Sequence, residues 1–289
     1  IDDTHKQILP AEDLWARKDA VETEDFLIKK HGKESKVICI GSAGENCSLI
    51  SGVVNDGGRL AARSGLGALF GVKQLKAICL NGSQKVYEHN KAEVRKATAE
   101  LVNALNNSKD TFCTTMKWSG TAGTTDDSVS TGDSPIKNWA GVALDDFPQD
   151  KASKISGYSV TKYQEKEYYC ADCTFGCGGI CSVKHNPLLK KTHRPEYEIL
   201  AGFGALVLND DVLSIFEINE KLNRAGFDAI SVATTVGWAF EAYEKGLFKA
   251  KFPNIKLKWG DSKALIELVD DIIANKNLGA YLKDGVKKA

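Results

Sequence analysis

The sequence predicts an α+β chain that is mainly helical. Three observations carry this: apolar residues return at helical spacing through most of the chain beyond residue 80, several of those runs end on glycine, and the clear β-like runs, KVICIG (36–41) and LKAICL (75–80), lie in the first 80 residues. Residues 12–31 carry Leu14, Ala20, Val21, Phe26 and Leu27, with acids early and Lys29, Lys30 and His31 before Gly32, which predicts a helix with a C-terminal stop. Residues 90–107 place Val94, Leu101, Val102 and Leu105 on one helical face. The stretch 119–138 is nearly all small or polar and has no period. It predicts an ordered loop, with a soft boundary before it and a functional role. Helices follow at 210–225, stopped by Gly226, and at 228–245, stopped by Gly246. A last helical pair within 263–289 hinges at Gly279.

Composition narrows the function. The 289 residues hold 38 Lys plus Arg against 38 Asp plus Glu, so the chain lacks the basic footprint of a protein that grips nucleic acid or an anionic membrane. Small molecules or other proteins are the expected partners. No window holds the roughly 18 uncharged apolar residues of a membrane span, and the first fifteen residues lack the pattern of a secretory signal, so a cytoplasmic location is expected. Of the 8 cysteines, four crowd between Cys170 and Cys181, which favours metal chemistry over structural cross-links.

The densest chemical signal is EYYCADCTFGCGGICSV, where Cys170, Cys173 and Cys177 form a Cys-x2-Cys-x3-Cys run followed by glycines. Thiolates so spaced can take three corners of an iron–sulfur cluster, and the glycines let backbone approach the sulfides. A zinc site would need a fourth ligand and usually a second Cys-x2-Cys pair, which the sequence does not contain. Cys181 is read as a free core thiol, with ligation as the alternative. A second stretch, Arg63-Ser-Gly65-Leu-Gly67-Ala68 with Gly71, suits either phosphate binding through backbone N–H groups and Arg63 or close helix packing. A third, Asn223-Arg-Ala-Gly226-Phe227-Asp228, joins a helix stop to a helix start. It reads first as a turn capped by Asp228 and second as a polar ligand site. In HRPEYEIL (193–200), Glu196 and Glu198 read by default as a solvated acidic pair.

Taken in order, IGSAGEN, RSGLGALFGVKQLKAI, IKNW, CADCTFGCGG, RPEYEILAGFGA, NRAGFDAISVATTVGWAFEAYEKG and LGAYLKDGVKKA resemble the aldehyde ferredoxin oxidoreductase family, over nearly the whole chain. The resemblance implies a tungsten (or molybdenum) bis-pterin beside a 4Fe-4S cluster, oxidising aldehydes to carboxylic acids with ferredoxin or an electron-transfer subunit as acceptor. It makes Cys170, Cys173 and Cys177 cluster ligands, with the fourth cysteine expected outside this sequence. Arg63, Gly65, Gly67 and Ala68 fall at pterin phosphates, and Asn223, Gly226, Phe227 and Asp228 become pterin contacts. The family pattern there is Asp-x-x-Gly-Leu-Asp, so Asn223 and Phe227 are departures. Glu198 matches the active-site glutamate, expected to be buried with a raised pKa.

Glu217 matches a glutamate that helps hold an iron between subunits in some members, together with a downstream histidine. No histidine follows His193 here, although a homodimer is still implied as an option. Residues 1–80 would be the remainder of the β-rich pterin-base domain, 81–255 the helical cluster- and pterin-binding domain and 256–289 the start of a last helical domain. The chain thus reads as the central portion of such a protein. The alternatives are the active-site subunit of a tungsten-dependent aromatic acyl-CoA (benzoyl-CoA type) reductase and a non-catalytic remnant.

Overall fold

The two β-like runs pair with each other. In the computed structural model, which describes residues 1–289 except 172, β1 (Lys36–Cys39) lies antiparallel to β4 (Ala77–Leu80), with Val37 opposite Cys79 and Cys39 opposite Ala77. Between them come α2 (Ser42–Glu45), β2 (Val53–Asn55), β3 (Arg59–Ala61) and α3 (Leu66–Val72), and the sheet runs β3-β2-β1-β4. Helix α1 (Ala20–His31) covers it, burying Ala20 against Val37, Cys39 and Val54. This helix is shorter than the predicted 12–31. Asp19 accepts from the Glu22 N–H while Glu22 caps back, so the capping box fixes the start and residues 12–17 form turns. Gly32 ends it at φ 107°.

Helix α4 (Lys91–Asn107) forms as its spacing predicts but buries none of its residues. Helix α5 (Thr111–Ser119) follows, capped by Asp110. The predicted loop at 119–138 is instead largely helical: a 3-10 turn at Gly120–Thr124 runs into α6 (Thr125–Ser130), which buries Ala122 and Val129. Asp126 and Asp127 in the first turn of α6 favour the helix, and hydroxyls of Ser130 and Thr131 are satisfied on the Asp127 carbonyl. Short helices α7 (Ala143–Asp146), α8 (Gln149–Ala152) and α9 (Gly157–Thr161) continue the chain.

Strands are not confined to the first 80 residues. A second sheet, β5 (Gln164–Tyr168), β6 (Gly178–Cys181) and β7 (Thr192–His193), is antiparallel throughout, with β6 in the centre. Its strands are rich in charge and glycine, so no alternation announced them.

The rest is the helical body. Helix α10 (Tyr197–Phe203) buries Ile199, Leu200 and Phe203. Helix α11 (Val212–Ala225) starts on Asp211 and ends on Gly226 at φ 77°. Helix α12 (Ala229–Glu244) starts on Asp228. Phe203, Phe216 and Phe240 are fully buried among these helices, and α13 (Ser262–Ile273) packs its Leu265, Leu268 and Val269 into the same core. Gly279 opens α14 (Gly279–Leu282) where the backbone presses on Asp271, leaving no room for a side chain. Among the described residues no helix is long and apolar enough to cross a membrane.

Candidate cofactor and active site

Strands β5 and β6 form a hairpin whose connection carries Cys170, Cys173 and Cys177, so the three predicted ligands share one loop. Cys170 and Cys173 are exposed and Cys177 half-buried. The Phe175 N–H donates to Cys173 Sγ at 3.4 Å, and Arg59 Nη2 lies 4.0 Å from Cys170 Sγ. Burial and the neighbouring charges of Glu196 and Cys170 push the Cys177 thiol up. Thiols on one exposed loop, with an amide and a guanidinium turned towards sulfur, are the donor set a thiolate-bound cluster needs. Among the described residues no three His, Cys, Asp or Glu side chains converge as ligands of a single metal ion. Cys181 points elsewhere: it is fully buried on β6, and burial raises its thiol to about 12.

The support under the loop was not visible in the sequence. Arg194 is buried and donates to the Cys177 carbonyl and to Gln164 Oε1. His193 joins Tyr168 OH at 3.1 Å and the Gly57 carbonyl at 3.1 Å, and burial lowers its pKa. Arg59 on β3 stacks over the Tyr168 ring, 5.2 Å from its centroid, and meets Glu196 Oε1 at 3.8 Å. The first sheet therefore touches the cysteine hairpin directly through Arg59 and, by way of His193, through Gly57.

The second and third motifs come together. Arg63 Nε lies 3.4 Å from Asp228 Oδ2 across 165 residues of sequence. Asp228 is 3% exposed and caps α12 by accepting from the Ile230 N–H. The Gly52 N–H donates to the Gly226 carbonyl, and Phe227 beside it is buried. Gly67 and Ala68 are also buried, and a side chain at Gly67 would lie 2.6 Å from the Gly52 carbonyl, so Gly67 serves packing. Gly65 adopts φ 70° at the start of α3, while the Arg63 side chain stays mostly exposed. An exposed guanidinium beside a buried, helix-capping carboxylate fits an anionic, hydrogen-bonding cofactor edge.

Glu198 is exposed, against the expectation of burial. In the first turn of α10 its neighbours Ile199 and Leu200 take the core side, and Glu198 faces a cleft of about 370 Å³. Trp139, Tyr197, Leu206 and Ile230 supply the cleft's large apolar surface, Gly202 and Ala233 its small residues, and Asp133, Glu198 and Thr234 its polar groups. Thr121 locks the α10 entrance: its hydroxyl donates to Glu196 Oε2 at 2.5 Å and accepts from the Tyr197 N–H at 3.0 Å.

Three consecutive non-glycine residues, Lys137, Asn138 and Trp139, have φ of 46°, 46° and 68°. Such conformations cost about 1–3 kcal/mol each and persist only where the surroundings impose them. Here they do: the Lys137 and Asn138 N–H groups donate to the Ala205 and Leu206 carbonyls, Asn138 Nδ2 donates to Glu241, and the Lys137 ammonium meets Glu244 at 3.2 Å. Glu217 lies away from this cleft, paired with Lys221 at 2.7 Å in a second cavity that His185 also lines.

The family model "Aldehyde ferredoxin oxidoreductase, domains 2 & 3" matches residues 96–289, and the N-terminal domain model matches residues 1–82. A tungsten-containing aldehyde ferredoxin oxidoreductase of Pyrococcus furiosus is 34% identical over 99% of this chain, and one of Thermococcus kodakarensis is 33% identical over 99%. An aliphatic sulfonate oxidoreductase, WOR-like subunit, of Pyrococcus furiosus is 26% identical over 89% of the chain and 40% of its own length. The fold matches a solved active site complex BamBC of benzoyl coenzyme A reductase with 1,5 dienoyl-CoA at a TM-score of 0.79, 20% identity, covering 99% of this chain and 44% of that one. The chain spans about half the length of the curated relatives it matches, 46% of each of the first two. With family models covering both the first sheet and the helical body, the chain belongs to the aldehyde ferredoxin oxidoreductase family.

Proposed function

We propose that the chain is the cluster- and pterin-binding part of a tungsten-pterin enzyme that oxidises aldehydes to carboxylic acids and passes electrons through a 4Fe-4S cluster to a ferredoxin-type carrier. The observation that carries this is the arrangement of three groups: the cysteine hairpin, the Arg63–Asp228 pair and the Glu198 cleft, linked by the turn from Glu196 to Glu198 and by the start of α12. Overall, an aldehyde and one water give a carboxylate, three protons and two electrons. The bound metal-pterin would supply the two-electron oxidation and the oxygen transfer.

This chain's residues do the rest. Cys170, Cys173 and Cys177 hold the cluster, Arg194 fixes Cys177 through its carbonyl, and Arg59 and the Phe175 N–H offset thiolate charge. Arg63 and Gly65 line the pterin's phosphate end, with the buried Gly67 and Ala68 packing the start of α3 behind them, and Asn223, Gly226, Phe227 and Asp228 lie at its ring edge. Glu198 takes a proton from the attacking water or orients it. Residues 1–80, 81–255 and 256–289 then correspond to the pterin-base, cluster and C-terminal helical portions. The relatives at 34% and 33% identity carry the name aldehyde ferredoxin oxidoreductase, which supports aldehyde oxidation over ring reduction of an acyl-CoA. Metal and pterin analysis of anaerobically purified protein tests the reading. Stoichiometric tungsten or molybdenum, iron and extractable pterin are expected, and a preparation with neither tungsten nor molybdenum overturns it.

A further inference from the structure

Resting on that reading, we propose that the cleft selects an uncharged aryl aldehyde, with the Trp139 indole stacking on its ring and the Asp133 and Glu198 carboxylates turning anionic substrates away. At about 370 Å³ the cleft is at the small end of the roughly 300–1,000 Å³ range of ligand cavities, with room for a substituted ring. Its walls fit that occupant. Trp139, Tyr197, Leu206 and Ile230 present two aromatic and two branched aliphatic faces, and Gly202 and Ala233 leave room between them.

Trp139 is 71% exposed, an indole spread over an opening rather than packed in the core. Its backbone holds that pose at φ 68° because Lys137 and Asn138 are pinned to the Ala205 and Leu206 carbonyls. A large apolar side chain kept exposed by a strained, over-determined backbone is arranged to meet a ligand. Aromatic rings pair with added attraction in offset or edge geometry, which an alkyl chain does not gain.

Charge supplies the second filter. Asp133 and Glu198 both line the cleft, and no Lys or Arg among the described residues does. The nearest candidate in sequence, Lys137, has its ammonium on Glu244 and over the Trp259 ring. A carboxylate, sulfonate or phosphate on the substrate would therefore face two like charges with no cation to offset them. The same repulsion disfavours the product, because oxidation turns a neutral carbonyl into a carboxylate in a cleft that Asp133 also lines.

The test compares benzyl alcohol and benzoate, near-isosteric neutral and anionic probes, by ligand-observed NMR titration of the 289-residue chain. Benzyl alcohol is expected to bind about tenfold more tightly than benzoate, and Asp133→Asn to remove most of that difference. Trp139→Ala should weaken benzyl alcohol about fivefold, and Trp139→Phe should restore it. Trp139 is exposed enough that neither change threatens the core. Equal binding of the two probes, no binding of either, or an unchanged affinity in Trp139→Ala overturns the proposal. Metal and pterin analysis of the same preparation reads the wider function separately. Cofactor-bearing protein without aryl selectivity leaves that function standing and removes this inference, whereas aryl selectivity without tungsten or molybdenum overturns that function and, with it, the aldehyde as the cleft's occupant.

Discussion

Lys76 is 2% exposed and spends its three donors on the Ile40 carbonyl at 2.7 Å, Glu45 Oε1 at 2.6 Å and the Lys18 carbonyl at 3.1 Å. It ties β4 to the IGSAGEN turn, and replacing it leaves a carboxylate that is 9% exposed without its cation, with the Ala16 N–H still donating to it at 3.1 Å. Lys76→Met is expected to cost about 3–5 kcal/mol in urea unfolding. Glu24 is the opposite case: burial raises its carboxyl above the usual 4.5, while the Gly57 N–H donates to it at 2.7 Å. A carboxyl raised in the native state binds its proton more tightly there than in the unfolded chain. Its contribution is most favourable below pH 4.5 and is lost as pH rises through the native value. Glu24→Gln keeps an oxygen for Gly57, so its stability relative to wild type should improve between pH 4.5 and pH 8. A gap between the two melting temperatures that does not change with pH would contradict this. At the cysteine hairpin, Cys173→Ser should abolish the cluster's absorption and EPR spectrum, and Cys181→Ser, in the core, should leave it nearly unchanged. Equal loss in both variants would make Cys181 a ligand.

At the scale of elements, what could be read in advance was what local chemistry decides. Asp211, Gly226 and Asp228 set the ends of α11 and α12 to within two residues of expectation, because caps and a left-handed glycine act within one turn. The second sheet was invisible because its cause is tertiary. Gly178 and Gly179 admit the Tyr168 ring and the Gln164 side chain, and Arg194 anchors the loop from another element. The same holds for the site. The cysteines, Arg63, Asp228 and Glu198 carried pattern signals, whereas Arg59, Arg194, Thr121 and Asp133 act through contacts that no spacing encodes. Helix α4 separates propensity from packing: it has the predicted period and an Asn90 cap but buries nothing. Isolated helices of this length are marginal in water. Its amides should exchange with solvent far faster than those of α12, which buries Val232, Val236 and Phe240, and comparable protection in a hydrogen-exchange experiment would show that α4 is packed.

For the whole molecule the question is how the first sheet is held to the helical body that carries Glu198 and Asp228. The join is mostly backbone. The Asp228 N–H donates to the Ile50 carbonyl at 2.8 Å, the Gly52 N–H to the Gly226 carbonyl at 2.9 Å, and Ser48 Oγ to the Lys283 carbonyl at 2.5 Å, so residues 48–52 are clamped between the α11–α12 turn and the C-terminal segment. Arg224 adds a side-chain link, meeting Asp19 at 2.9 Å and the buried Glu220 at 2.6 Å. At Gly41 the two bodies approach without room for a side chain: a Cβ there would lie 2.5 Å from the Ala225 carbonyl oxygen, a backbone atom that cannot swing aside. One added methyl must therefore push the sheet away from the turn that positions Asp228. Overpacking of this kind costs about 1–3 kcal/mol. In a chain of this size that is a fall of several degrees in melting temperature, with about 2–4 °C for each kcal/mol. Gly82→Ala is the matched control, because its Cβ would meet only the Asp3 carboxylate at an ordinary 3.5 Å. Thermal unfolding followed by circular dichroism should show Gly41→Ala several degrees below wild type and Gly82→Ala close to it. Because the displaced turn also holds Arg63 against Asp228, the pterin content of Gly41→Ala should fall with its stability. Equal melting temperatures for the two variants would mean that the sheet and the helical body are not locked together at this contact.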